Sequence, residues 1–150
     1  MAKKKRRNYN ELANILGWHY GDTNFCGLIA ICVATHASPG KVKRYAEKFA
    51  KTWEGRLRKH RSGTPFEVIE ATLNRFGKEY DADWNRYRHE GFTLNRVHKE
   101  LALTYPNDTF HVYVRGHVAC IREGVLEDWT ALKPSRRKVT HVIRIIDRTS

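Results

Sequence analysis

Apolar residues recur at helical spacing through the first two thirds of the chain and alternate with polar ones after Asp108. Over residues 8–16, Leu12, Ile15 and Leu16 fall on one helical face, and Gly17 ends the run. Residues 18–25 are dense in turn formers and lead into Cys26-Gly27. From 28 to 37 the chain is almost continuously apolar, which at this length predicts a helix buried on most sides with Cys26 at its N-terminus. Ser38-Pro39 supplies a cap and a first-turn proline for a second helix, whose stripe is Val42, Tyr45, Ala46, Phe49 and Trp53. Thr64-Pro65-Phe66-Glu67 is a capping box ahead of Val68, Ile69, Leu73 and Phe76, with Gly77 as the stop. Thr93 opens a fourth helix through Leu94, Val97 and Leu101 that ends before Tyr105. Residues 78–91 are polar and irregular and predict no element.

Phe110, Val112 and Val114 alternate with His111, Tyr113 and Arg115, the period of a half-buried strand. Residues 117–122 and 125–129 flank Glu123-Gly124 as a hairpin, and 139–146 form a last strand rich in β-branched residues. Helices first and strands after predict an α+β fold, with the N-terminal helices packed on a C-terminal antiparallel sheet. A chain of 150 residues with 41% hydrophobic content supports one domain with a real core. The expected organisation is a disordered basic arm over 1–7 and a folded domain over 8–150.

Charge adds a second theme. Lys3, Lys4, Lys5, Arg6 and Arg7 crowd the start, and a further basic run occupies 41–61, within a formal net charge of +12. Such surfaces attract polyanions, so a non-specific nucleic-acid contact through the arm and residues 41–61 is one expected partnership. Trp53, Trp84 and Tyr87 are the aromatics that could stack on bases. Three cysteines, at 26, 32 and 120, form no C-x-x-C pair, and an odd count suits free thiols in a reducing, cytoplasmic setting. No apolar run is long enough to span a membrane. The histidines are scattered singly, without ligand spacing, so neither a metal nor another cofactor is expected; His111 and His141 read as paired or surface histidines within strands.

The candidate chemistry starts at Cys26. Unpaired amide groups and the positive end of a helix dipole favour thiolate over thiol, and the same amides can stabilise an oxyanion. With Glu123 and Gly124 as the turn residues, position 117 faces 130 and 119 faces 128. His117 and Asp128 are then diagonal neighbours on one face, close enough for a carboxylate to orient an imidazole.

Asn24-Phe25-Cys26-Gly27-Leu28, then Arg115-Gly116-His117-Val118-Ala119-Cys120, then Gly124-Val125-Leu126-Glu127-Asp128-Trp129 resemble the papain-like cysteine peptidases. The likeness is to the peptidases that trim double-glycine leader peptides and to small uncharacterised bacteriophage proteins similar to them. It covers roughly residues 18–146. The resemblance implies Cys26 as nucleophile, His117 as general base and then acid, Asp128 as orienter, Trp129 as a shield for that pair, and a peptide or protein as substrate. One departure stands out: Tyr20 occupies the place of the family's oxyanion glutamine, leaving His19, Asn24 or the Tyr20 hydroxyl as substitutes. The alternative is a papain-like scaffold that has lost activity and binds nucleic acid or a host protein.

Overall fold

A computed structural model describes residues 26–52, 66–127 and 136–148, and in the first segment the side chains of 27–50. The expected basic arm, the helix over 8–16 and Trp53 lie outside the described residues. Helix α1 (Cys26–Thr35) is apolar around its whole circumference, and every residue from Gly27 to Thr35 is buried. It stops where the Thr35 hydroxyl donates back to the Ile31 carbonyl at 2.8 Å and His36 takes a left-handed φ of 58°. Helix α2 (Pro39–Thr52) is amphipathic: Val42, Ala46 and Ala50 are buried at four-residue intervals, while Lys41, Arg44 and Lys48 are exposed. Helices α3 (Phe66–Arg75) and α4 (Leu94–Thr104) follow, the latter capped by Thr93, whose hydroxyl accepts from the Arg96 amide at 3.2 Å.

The strands are β1 (Lys78–Tyr80), β2 (Thr109–Val114), β3 (His117–Arg122), β4 (Val125–Glu127) and β5 (Val139–Asp147). They form one antiparallel sheet in the order β1-β5-β2-β3-β4, so the described residues adopt a mixed α+β fold. Strand β1 has no counterpart in the hydrophobic pattern. Its three residues are strand because Lys78, Glu79 and Tyr80 pair with Asp147, Ile146 and Ile145, a contact 65 or more positions distant.

Strand alternation divides the apolar residues between two faces. On one, Val118, Cys120, Ile143 and Tyr80 share a cluster with the apolar residues of α1, α2 and α3. On the other, Phe110, Val112, Val114 and Ile121 pack with Leu94, Val97 and Leu101 of α4. Trp84, read from sequence as a candidate stacking platform, is half-buried in this second cluster: its indole N–H donates to the Val142 carbonyl at 2.9 Å, and its ring meets Tyr105 and Phe110. The Arg144 guanidinium lies over the same ring, 5.5 Å from its centre, and hydrogen-bonds to Asp81 at 2.6 and 2.9 Å, holding that carboxyl below its ordinary range.

A polar chain crosses the first core. Tyr113 donates to Tyr80 across 2.5 Å, Tyr80 donates to Nδ1 of His111 at 2.7 Å, and Nε2 of His111 donates to the Ala30 carbonyl of α1 at 2.9 Å. This assignment uses the tautomer in which both ring nitrogens are satisfied. Phe66 stacks against Tyr80, and its ring centre is 5.8 Å from that of Tyr113, so the hydroxyl chain runs through an apolar setting. Burial pushes His111 down from 6.5 to about 4 and the Tyr80 phenol well up.

Unfolded, the His111 ring binds protons near pH 6.5; folded, it does so only near pH 4. The unfolded chain therefore holds more protons throughout that window, so stability is full above it and falls as pH drops from 6.5 towards 4. The expected loss is on the order of 3 kcal/mol across the whole window. Urea midpoints taken from about pH 7 to about pH 4.5 check this: they should fall steeply in the wild type and less in His111→Gln. An equal fall in both proteins would show that another group dominates.

Candidate functional site

Two contacts set the direction of α1 on the sheet. Ala30 lies at the level of His111, which pairs with Cys120, and the Val33 carbonyl accepts from Arg122 at 3.3 Å. Going up α1 from residue 30 to 33 thus corresponds to going up β3 from 120 to 122, so helix and strand run in the same sense. Stepping back four residues along the helix covers about 6 Å, and stepping back from Cys120 to His117 covers about 10 Å. The backbone of Cys26 and that of His117 therefore share one end of the sheet. Arg122, at the other end, offers its cation to the C-terminal turn of α1, the favourable sign for that end of the dipole.

His117 is the first residue of β3 and is buried. It pairs with Val114 across the exposed Arg115-Gly116 turn, where Gly116 has a φ of 72° that a side-chain-bearing residue rarely adopts. Residues paired across strands point to the same face, which places His117 on the Val114 side, with α4, whereas α1 meets the Val118 and Cys120 side. His117 and α1 therefore lie on opposite faces of the sheet, and what they share is the end at which strand and helix begin.

The β3–β4 hairpin has the predicted register as far as it is described. Arg122 pairs with Val125, Ile121 with Leu126 and Cys120 with Glu127. Glu123 and Gly124 both have positive φ, 52° and 80°, the conformation of a type I′ turn. The Cys26 side chain, Asp128, the oxyanion candidates His19, Tyr20 and Asn24, and the shield Trp129 lie outside the described residues.

The other two thiols are buried in the first core. Desolvation pushes the Cys120 thiol far above its ordinary range, against a smaller lowering by Arg122. Neither has the electropositive, accessible setting of a nucleophile. A polar cleft of about 340 Å³ lies at the far end of the sheet from His117, between the C-terminus of α1 and residues including Lys78, Asp108, Arg122 and Asp147. It is not part of the candidate site. Among the described residues no three His, Cys, Asp or Glu side chains gather as a metal site would require, and no helix is long and apolar enough to cross a membrane.

Reading the sequence singled out His117 but not the Tyr113–Tyr80–His111 chain that fixes α1 beneath it. The alternation in β2 puts His111 and Tyr113 on one face, but nothing local announces Tyr80 as their partner. No family model matches the sequence, and no curated protein or solved structure matches it either.

Burial predicts that Cys32 and Cys120 stay unmodified by a polar alkylating agent at neutral pH until the chain is unfolded in urea. Intact-mass and peptide analysis checks this. Labelling of Cys120 in the native chain would mean that α1 lifts off the sheet.

Proposed function

We propose that the chain is a thiol-dependent hydrolase, a cysteine peptidase or related acyl hydrolase on a papain-like α+β scaffold, acting on an amide or isopeptide bond. Cys26 attacks the acyl carbon as thiolate, and its electron pair forms the C–S bond while the carbonyl oxygen takes the negative charge. Amide groups at the start of α1 face that oxyanion, assisted by Asn24, His19 or the Tyr20 hydroxyl. His117 takes the thiol proton and returns it to the leaving amine, giving an acyl-enzyme that water resolves with His117 as base. Asp128 holds the imidazole in the required tautomer.

One observation carries this reading: the helix that begins at Cys26 and the strand that begins at His117 run in the same sense and share an end of the sheet. Two chemically matched residues more than 90 positions apart in sequence thereby begin elements at the same end of the sheet, His117 on the face opposite α1. The β3–β4 register, described as far as Cys120 opposite Glu127, agrees with the hairpin from which the sequence argument for Asp128 starts.

Alkylation at about pH 6, where an ordinary thiol is almost wholly protonated, tests it directly. Cys26 should react on the order of 10²-fold faster than a free cysteine. That advantage should vanish in His117→Ala and shrink in Asp128→Asn. A Cys26 that reacts no faster than a small-molecule thiol, in a chain that still melts cooperatively, contradicts the assignment.

A further inference from the structure

Segment 85–96 lies alongside the start of β5. The Val142 amide donates to the Arg86 carbonyl at 2.9 Å, the Gly91 amide to Val139 at 2.8 Å, the Val139 amide to Phe92 at 2.8 Å, and the Leu94 amide to Arg137 at 2.8 Å. This lacing brings two stretches of chain together that carry Arg86, Arg88, Arg96, Arg136, Arg137 and Lys138 against the single carboxylate Glu90. All but the half-buried Arg86 are exposed. The guanidiniums of Arg86 and Arg96 rest on the rings of Phe66 and Phe92, 5.7 and 4.0 Å from their centres, and Arg88 donates to the Tyr105 hydroxyl. Among the described residues no carboxylate lies within ion-pair distance of these three arginines. Aromatic faces position Arg86 and Arg96, the Tyr105 hydroxyl positions Arg88, and no described carboxylate neutralises the three.

Three rings belong to the same two stretches and the neighbouring β2, and the outermost of them, Tyr87, is tilted 50° from the plane of His141. Tyr113 and His141 stack with centres 4.4 Å apart and planes 9° from parallel, and Tyr87 follows at 6.0 Å. Tyr87 is 60% exposed, so the outermost ring offers a face to solvent. Burial and the neighbouring Arg86 hold the His141 pKa down, which favours an uncharged ring in the stack.

We infer that the surface built by residues 86–96 and 136–141 binds single-stranded nucleic acid, with Tyr87 as the stacking platform for a base and the flanking arginines and Lys138 along the phosphates. Fixed cations interleaved with an exposed ring are the combination that single strands use, charge following the backbone and an aromatic face taking any base. Exposed cations on both sides of a single exposed ring match a strand of alternating phosphates and bases, and vesicle competition separates this from an anionic membrane surface. The inference is independent of the proposed thiol chemistry and places the contact away from residues 41–61, the basic run conspicuous in the sequence.

Fluorescence anisotropy of the full chain with a labelled oligodeoxythymidylate tests it. Tyr87→Ala should weaken binding by about 5-fold or more without changing its salt dependence. Replacing Arg88, Arg96 and Lys138 by Ala should flatten the slope of log affinity against log salt by about 2. Neutralising Lys41, Arg44 and Lys48 serves as the control of equal charge and should do much less. The inference is overturned if both surface variants bind like wild type while binding is lost on neutralising Lys3 to Arg7 or the helical cations. It is equally overturned if vesicles rich in anionic phospholipid displace the oligonucleotide and the Tyr87→Ala protein holds them just as tightly. Thermal melts guard against misfolding, which the exposed position of Tyr87 makes a small risk.

Discussion

A helix that is apolar on every side has no amphipathic stripe to fix its rotation, and the hydrogen bond from His111 to the Ala30 carbonyl supplies what the hydrophobic effect leaves undetermined. Burial alone is non-directional, so α1 could turn about its axis or slide along the sheet with little change in apolar area. The imidazole, itself held by Tyr80 and Tyr113, permits one register. Arg122 on the Val33 carbonyl, one turn further along, gives the second point that defines the helix direction. A buried polar chain of this kind adds only modest net stability when complete and is costly when one member is removed, so its main effect is to specify a single arrangement.

That specification matters because the proposed nucleophile, Cys26, is the first residue of the element being positioned. A slide of α1 by a single residue would move the start of the helix by about 1.5 Å, and displacements of about 1 Å at reacting groups cost orders of magnitude in rate. The same polar chain thus connects the protonation of a core histidine to the placement of the proposed nucleophile. On the second face of the sheet, α4 and Trp84 do comparable work for the strands that carry His117 and the basic, ring-studded surface near Tyr87.

Much of this was legible in the chain. The helices beginning near Cys26, Pro39, Phe66 and Leu94, and the four longer or hairpin strands, follow from local periodicity and capping residues, and their ends differ from expectation by a few residues at most. What the periodicity could not reveal is non-local. Strand β1 is three residues of ordinary polar sequence whose conformation is imposed by β5, and the insertion of β5 between β1 and β2 depends on pairings across the length of the domain. Trp84 stands in a stretch without periodicity, so its place in the second cluster was invisible. The hairpin register was readable because Glu123-Gly124 demands a tight turn, and that is why His117 could be singled out; the face it occupies relative to α1 required the whole sheet.

The account stands on a thiolate and an imidazole meeting at one end of that sheet. Ultraviolet titration of thiolate absorbance reads this without any substrate. One thiolate per chain should already be present near pH 6, should disappear in Cys26→Ser, and should move to the ordinary cysteine range, near pH 8.5, in His117→Ala. A wild-type chain that shows no thiolate until that ordinary range would contradict it.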